Sequence, residues 1–381
     1  MNIVFFLNDK LDHRSGVGKK ITSQINAFTQ LSDNIYTIKN SEIEGARVVT
    51  DNILIHESFT PHSALVRYRF RGILKYILSL DIDLVYIRYT HFASPSFLWF
   101  LRKLKAHSIK IVLEFPTYPY DQEYENLKLI SKCKLFLDRT FRGFLYSYVD
   151  LCVSFTDSYN EIFGIKVVKL SNAIGTDLVL ANLAKLKGLH GETKTNKVLT
   201  FTAVASMYKW HGYDRIIHAI HDYVANNKNK NINIKFNIVG DGPELCNLKI
   251  LVKALNIEDH VIFHGFLGEP ELGQVLLESD IGVDSLARFR SGNDDNNSLK
   301  SKEYLAYGLP VLKSHVDTSI DKFGLHFNVS HNEEPLDLAS IVEWFLDNKN
   351  KFEREEIASL ALRYLTWEVQ IQKLMMRVND I

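Results

Sequence analysis

Two charged residues in the last third of the chain could bind one ligand together. Lys300 and Glu303 are three residues apart at the start of the helix predicted in SLKSKEYLAYG, so both side chains lie on one helix face. The Glu303 carboxylate can accept two hydrogen bonds from neighbouring hydroxyl groups such as those of a ribose. An acid near a helix start is also favoured by the helix dipole alone, whereas a lysine there opposes the dipole and suggests another purpose.

Three stretches of the same half share one order, in which a predicted strand or polar segment leads through a loop into a helix. They are VASMYKWHGYDRIIHAI (204–220), IVGDGPELCNLKILV (238–252) and SGNDDNNSLKSKEYLAYGLPVL (291–312). A helix that starts after such a loop attracts anions at its N-terminus. The loop residues that could contact a ligand are Ser206, Lys209, His211, Gly240, Gly242, Phe266, Arg288 and Arg290.

The first strand-to-helix turn contains DHRSGVGKKI (12–21). Gly16 and Gly18 allow a tight turn and a close approach of the backbone to an anion, and a plain turn is the alternative. A Walker A loop is excluded because position 13 is a histidine and position 20 a lysine. The dinucleotide fingerprint is excluded because Ile21 stands where its third glycine is needed, which disfavours an NAD dehydrogenase.

One further motif, Asp81-Ile82-Asp83, matches the DxD pattern that binds a metal and nucleotide in some glycosyltransferases. A three-residue match has little specificity. It stands directly before a predicted buried strand, where acids commonly mark a turn. We therefore predict no metal site and no cofactor.

Predicted strands and helices alternate along the whole chain and position these residues. Short apolar runs, from NIVFFL (2–7) to GLPVLKS (308–314), are separated by segments with helical spacing, and this order predicts parallel sheets covered by helices on both faces. The polar stretch 171–196 predicts a boundary between a domain at 1–175 and one at 176–365, with the helix at 366–381 packing back on the first. Ligands of open α/β sheets bind at the carboxyl ends of the strands, so the cleft between the domains is the expected site.

Taken in order, these motifs resemble those of the GT-B glycosyltransferases of the group 1 type (family 4, retaining). GDGPE, HVIFHGF and KEYLAYGLPVL match the family pattern in the second half. SGVGKKI, DLVYIRY and EFPTYPYDQE (114–123) look like the acceptor domain of the same family, and the last of them looks like a feature of bacterial polysaccharide-assembly members. The resemblance covers nearly the whole chain and implies a fold of two Rossmann-like domains with parallel sheets that face a central cleft.

The family pattern also implies roles for individual residues. Glu303 is its second acid and would bind the ribose, and Asp295 stands where the family has a glutamate that holds the donor sugar. Asn293, Asp294 and Asn296 are substitutes for Asp295. The two fixed cations of the diphosphate site are replaced by Ser206 and His211, which puts Lys300 first and Lys209 second as the cation for the leaving group. The catalytic-cleft histidine has no exact match, so His91 and Glu114 are the candidates in the acceptor domain.

The resemblance implies transfer of a sugar from a nucleotide-sugar to a glycan or a lipid-linked glycan, with retention of configuration, in the assembly of bacterial cell-surface polysaccharide or glycoconjugate. Two rivals stay open. A sugar-nucleotide epimerase of the same fold would consume donor without acceptor. A non-catalytic binding partner would keep the fold without turnover, and the loss of the two usual cations motivates that idea.

Charge and composition limit the partners. Lys and Arg number 45, as do Asp and Glu, which argues against nucleic-acid binding. Residues 67–142 nevertheless hold 14 Lys and Arg against 7 Asp and Glu. The segments 67–78 and 128–146 mix those cations with large apolar side chains, so they predict either contact with an anionic membrane or ordinary amphipathic helices. Three distant cysteines and the absence of a long apolar run fit a cytoplasmic protein, peripheral at the inner face of the membrane.

Overall fold

The computed structural model of the chain describes residues 1–11, 16–41, 46–56, 69–124, 129–156, 158–188, 198–226, 232–292 and 296–381. It divides into two compact units. Unit 1 comprises residues 1–171 with 367–381, and unit 2 comprises residues 172–366. Each unit has its own sheet and its own apolar core.

Unit 1 is built on a nine-stranded sheet in the order β4-β3-β2-β1-β5-β6-β7-β9-β8. The six strands from β2 to β9 in that order are parallel, and β3, β4 and β8 pair antiparallel at the two edges. Its strands are β1 Asn2–Leu7, β2 Asn34–Asn40, β3 Ala46–Val49, β4 Leu54–His56, β5 Leu84–Arg88, β6 Lys110–Phe115, β7 Leu151–Ser154, β8 Glu161–Ile162 and β9 Ile165–Lys169. Its first four helices are α1 Gly16–Leu31, α2 Arg71–Leu78, α3 Pro95–Lys105 and α4 Leu129–Phe141.

Unit 2 has a six-stranded parallel sheet in the order β12-β11-β10-β13-β14-β15. This is the doubly wound order 3-2-1-4-5-6, in which the chain changes direction between β10 and β13. The strands are β10 Val198–Val204, β11 Asn233–Val239, β12 Val261–Gly265, β13 Ile281–Val283, β14 Val311–Lys313 and β15 His326–Asn328. The helices are α5 Thr176–Gly188, α6 Tyr213–Asn226, α7 Leu245–Ala254, α8 Glu271–Glu278, α9 Leu299–Ala306, α10 Thr318–Asp321, α11 Leu338–Asp347 and α12 Arg354–Tyr364.

The last helix, α13 (Trp367–Asn379), belongs to unit 1. Trp367 is fully buried there, against Phe155 and the ammonium of Lys20 on α1. The amide of Ser171 donates to Gln370 of the same helix over 2.9 Å. The C-terminal end of the chain therefore completes the helical layer on one face of the first sheet.

The predicted α/β class with two largely parallel sheets is confirmed. Strands of parallel sheets are buried on both faces and read as continuous apolar runs, which made them visible in the sequence. The strands β2, β3, β4, β8 and β15 were not predicted. NIYTIKN, which forms β2, is only partly buried and alternates polar with apolar residues.

Candidate active site

The loops after β10 and β13 meet at the point where the second sheet changes direction. Gly212 has a φ of +64°, and a Cβ built on it would lie 2.7 Å from the Cβ of Ala287. The amide of Leu286 donates to the carbonyl of His211 over 2.8 Å. Only glycine fits at position 212, and this contact holds the two loops together at the usual ligand site of an open α/β sheet.

The predicted glycines of the next loop have the same physical role. Gly240 has a φ of +122°, and a Cβ there would lie 2.0 Å from the carbonyl oxygen of Ala205. A Cβ on Gly242 would lie 2.3 Å from the amide nitrogen of Met207. Both glycines let the β11 loop pack directly on the β10 loop. Ser206 of the β10 loop and Phe266, which directly follows β12, are both exposed, Phe266 by 80%.

The predicted cation Lys300 lies in the first turn of α9 and reaches a buried carboxylate. Its Nζ is 2.9 Å from Oδ1 of Asp284 and 3.3 Å from Oγ of Ser285. Asp284 is fully buried and also accepts from the hydroxyl of Ser301 over 2.6 Å. Burial opposes ionisation, but Lys300 and these donors outweigh it and hold the pKa of Asp284 well below its usual value. The Lys300 side chain is 21% exposed, so the ammonium lies at the outer end of this network.

The two arginines of the β13 loop have different surroundings. Arg290 binds Asp214 through two hydrogen bonds of 2.8 Å and also binds Glu333, so it fixes the loop to α6. Arg288 is half-buried, and no described group accepts from its guanidinium. Burial lowers the pKa of Arg288, and the charge of Asp284 opposes that shift. Arg288 is therefore the second cation available for an anionic ligand in this part of unit 2.

His211 is buried beside these cations and stays neutral. Burial, Lys300 and Arg288 lower the pKa of His211 to about 3, against the weaker opposing effect of Asp284. Its Nδ1 accepts from the amide of Tyr208 over 3.0 Å, so a neutral ring carries its proton on Nε2. His211 can donate one neutral hydrogen bond to an anion. The second-choice cation of the same loop, Lys209, is exposed.

The predicted acids of the α9 region have different outcomes. Glu303 is half-buried in the second turn of α9, one turn after Lys300 on the same helix. Asp295, with its possible substitutes Asn293 and Asp294, lies outside the described residues. Asn296 is described, and its amide donates to the carbonyl of Val316 over 3.0 Å.

In unit 1, His91 follows β5 with a left-handed backbone, φ +53°. Its ring stacks on Tyr120 with 3.8 Å between centroids, and Nδ1 lies 3.3 Å from the hydroxyl of Tyr124. Its Nε2 is buried without a hydrogen-bond partner among the described residues. Burial and the charges of Lys134 and Arg88 lower the pKa of His91 to about 4, so the ring is neutral at pH 7.

Glu114 needs a correction. It was predicted as a cleft residue, but its carboxylate is fully buried at the end of β6. It accepts from Tyr86 over 2.6 Å, from Gln24 over 2.9 Å and from Arg88. These donors and the charge of Lys20 hold its pKa below the usual value despite burial. Such a saturated carboxylate fixes α1 and the sheet to each other and has no free position for a substrate.

The remaining motifs of unit 1 lie in ordinary structural positions. Gly16 and Gly18 are in the first turn of α1, and the turn before them lies outside the described residues. Asp83 accepts from the amide of Asn2 over 2.7 Å, and the carbonyl of Asp81 accepts from the Asn2 side chain. The DxD motif therefore sits at the amino ends of the strands. Within the described ranges, no group of three or more His, Cys, Asp or Glu side chains could hold a metal ion.

Comparison with known families identifies the second unit. Residues 186–359, slightly less than half of the chain, match the family model described as glycosyl transferases, group 1. This segment, which lies within unit 2, is similar to the group 1 glycosyltransferases. No curated protein sequence matches the chain.

Solved glycosyltransferases share the fold of the whole chain at low identity. HepE of Anabaena in complex with UDP has a TM-score of 0.62 and 13% identity, with all of both chains covered. A glycosyltransferase of Rickettsia africae has a TM-score of 0.63 and 13% identity over all of this chain and 98% of its own. The E. coli trehalose-6-phosphate structure bound with UDP-2-fluoro glucose has a TM-score of 0.60 and 13% identity over all of this chain and 99% of its own. The architecture is GT-B.

The residue of unit 2 that sequence reasoning missed is Asp284. It stands in the run DIGVDSL, one residue beyond β13, and it contacts Lys300, Ser301 and Ser285. An acid placed directly at the carboxyl end of a buried strand was the available signal. Lys300 and Ser301 are 16 and 17 residues away from Asp284 in sequence, so the pairing itself could not be read from spacing.

Proposed function

We propose that the protein transfers a sugar from a nucleoside diphosphate sugar to a glycan or lipid-linked acceptor, with retention of configuration. The observation that supports the donor class is the group of Lys300, Arg288 and neutral His211 at the switch point of the second sheet. Two cations and one neutral donor match the charge of a diphosphate. Lys300 and Arg288 can also replace the two usual cations of the family, whose loss is the argument for a non-catalytic protein.

In this proposal the residues of unit 2 act on the leaving group. The bond between the anomeric carbon and the diphosphate oxygen breaks, and negative charge grows on that phosphate. Lys300 and Arg288 would stabilise the charge, and His211 would donate from Nε2. The acceptor hydroxyl would attack from the face that the diphosphate leaves, through an oxocarbenium-like state, and would pass its proton to the departing phosphate oxygen, which gives retention. Proton NMR of the first product formed distinguishes the retained from the inverted anomer.

Glu303 would bind the ribose of the donor. Hydrogen bonds to a charged group contribute about 1.5–3 kcal/mol each, so Glu303→Ala should weaken nucleotide binding at least tenfold with the fold intact. Isothermal titration with the sugar nucleotide that best stabilises the wild type in a thermal-shift panel measures this loss.

The control for that experiment is Glu271→Ala, an exposed acid on α8. It should bind like the wild type. Unchanged affinity in Glu303→Ala would remove Glu303 from the donor site. Consumption of the donor without any acceptor would instead favour the epimerase alternative.

We further propose that transfer needs no divalent metal. The side chains of Lys300 and Arg288 support metal-independent transfer, because they can supply the positive charge that a metal would otherwise bring to the phosphates. The DxD acids lie at the amino ends of their strands, away from the carboxyl ends where ligands of such sheets bind. Full activity in EDTA is expected. Activity that is lost in EDTA and restored by Mg²⁺ or Mn²⁺ would refute the proposal.

An anionic membrane is the proposed location of the acceptor, and α4 supplies the contact. Large apolar side chains on α4 and the turn after it face solvent, with Ile130 exposed by 83% and Phe136 by 70%. Cations on the same helix include Lys132 and Arg139, both exposed. Leu129, Ile130, Phe136, Leu137, Phe144 and Tyr146 form what we call the α4 face. An apolar face with basic residues is typical of interfacial helices.

The other basic segment, 67–78, differs from the α4 face. Three apolar residues of α2, Ile73, Leu74 and Ile77, are buried in the core of unit 1, and of its apolar side chains only Leu78, at its end, is exposed. The described part of this segment is therefore an ordinary amphipathic helix. No described helix is both long and apolar enough to cross a bilayer. The proposed attachment is peripheral, on the cytoplasmic side, and rests on the α4 face alone.

The replacement of two apolar side chains of the α4 face by glutamates should abolish this attachment. Ile130→Glu with Phe136→Glu removes apolar contact worth about 1.5–3 kcal/mol for each buried side chain and adds repulsion from anionic lipid. We expect at least a hundredfold weaker partition onto vesicles that contain one-third phosphatidylglycerol, measured by sedimentation.

The matched control is Ile250→Glu, which changes a side chain that is 63% exposed on α7 of unit 2. It should leave partition unchanged. Binding of the wild type should weaken as salt is raised. Equal binding to neutral and anionic vesicles, or equal binding of all variants, would contradict the proposal.

A further inference from the structure

Lys300 is held in place by groups that are themselves buried. Asp284 and Ser285 accept from its ammonium over 2.9 and 3.3 Å. A lysine ammonium has three N–H donors. The two contacts use two of them, and no described group accepts the third. The two contacts therefore set the direction of the third N–H of the ammonium.

We propose that Asp284 is a positioning residue for the leaving-group site, which fixes Lys300 so that its remaining N–H meets a phosphate of the donor. This inference rests on the proposed function. It assigns to Asp284 no contact with the substrate. Its physical basis is that a flexible lysine loses rotamer entropy when it binds an anion, and a prior ion pair removes much of that cost from the binding step.

The surroundings of Asp284 suit this role. Its carboxylate is fixed by the amide of Ser285 over 2.7 Å and by the hydroxyl of Ser301 over 2.6 Å. The nearest other candidate partner, His315, has its Nε2 3.9 Å from Asp284 and is fully buried. Burial lowers the pKa of His315 to about 4, so it carries no charge at pH 7. Lys300 is then the cation that neutralises Asp284.

Asp284 also has an opposing effect on anion binding. The direction in which the affinity changes therefore tests the inference. A buried carboxylate near the site repels a phosphate. With Lys300 present, removal of the Asp284 charge should weaken anion binding because the ammonium is released. With Lys300 absent, the same removal can only relieve repulsion. A residue that merely supported α9 would weaken binding in both backgrounds.

The experiment is a double-mutant cycle with Asp284→Asn and Lys300→Met, in which inorganic pyrophosphate and UDP are titrated by calorimetry. Asp284→Asn should weaken pyrophosphate binding fivefold or more in the wild type. In the Lys300→Met background it should leave affinity unchanged or increase it. Weakening by the same factor in both backgrounds overturns the proposal. Thermal unfolding confirms that each variant is folded.

Two further measurements keep the test decisive. Ser301→Ala removes one hydrogen bond to Asp284 but no charge, and it replaces Asp284→Asn if that variant does not fold. Its loss of affinity should be at least twofold and should vanish without Lys300. A crystal structure of Asp284→Asn, or of Ser301→Ala in its place, should show the Lys300 ammonium displaced from Ser285, and an unmoved ammonium overturns the inference. If the wild type binds neither pyrophosphate nor UDP, the proposed donor site fails, and the crystal structure still decides the role of Asp284.

Discussion

Lys300→Ala should lower the rate of sugar transfer by at least a hundredfold, with the donor affinity reduced by less than tenfold. The ammonium lies at the outer end of a buried network and has one donor left for a phosphate. Charge on that phosphate grows as the glycosidic bond breaks, so the contact is stronger in the transition state than in the bound donor. The loss of one preorganised donor of this kind costs about 10²–10³ in turnover. Steady-state kinetics at saturating acceptor separate kcat from KM.

His211→Gln is the comparison that makes this result specific. The glutamine keeps a hydrogen-bond donor near the same place and should cost less than tenfold. The low pKa of His211, about 3, means that this ring does not change charge between pH 5 and 8. A histidine that supplied positive charge would raise the rate as pH fell through its pKa, and here that would occur only near pH 3. A dead His211→Gln enzyme beside an unaltered Lys300→Ala enzyme would make the histidine the phosphate ligand.

The fold could be predicted because parallel strands leave a strong trace in a sequence. Runs such as NIVFFL and KVLTFTAV are apolar at nearly every position, since both faces of each strand are covered. Edge strands leave a weaker trace. The short antiparallel strands β3, β4 and β8 have four residues or fewer, and such lengths carry no period that separates a strand from a loop.

The site was predictable where residues act through local spacing and not where charges pair across the sheet. Lys300 and Glu303 share one helix, and their relation follows from helix geometry. Glu114 looked like a cleft acid because nothing in its segment reveals that Gln24, Tyr86 and Arg88 converge on it. The same limit hid Asp284. Buried charges are paired, but which residue becomes the partner depends on how the fold brings distant segments together.

Lys302 lies two residues after Lys300 on α9 and has a structural role. Its loss should destabilise unit 2 by about 3–5 kcal/mol. Its ammonium is fully buried and lies 2.8 Å from Asp317 and 3.0 Å from the carbonyl of Ser298. Asp317 in turn accepts from the amides of Ser298 and Ser319, so one pair fixes the starts of both α9 and α10. Lys302→Ala leaves the Asp317 charge buried without its partner, which is the costly way to break such a pair.

The matched comparison is Lys300→Ala, two residues earlier on α9. Lys300→Ala also removes the cation from a buried carboxylate, Asp284, and should lower stability. Because the Lys300 side chain is 21% exposed while Lys302 is not exposed at all, we expect a smaller loss of stability than for Lys302→Ala and a far larger loss of turnover. Urea denaturation gives the free energies, and hydrogen exchange should show the loss of protection at α9 and α10. Adding Asp317→Asn to a Lys302→Met chain should restore part of the stability, because the amide removes the unpaired charge and keeps one acceptor oxygen for Ser319, while the amide of Ser298 loses its acceptor. No recovery in that double variant would mean that the lysine stabilises the unit through packing and not through its charge.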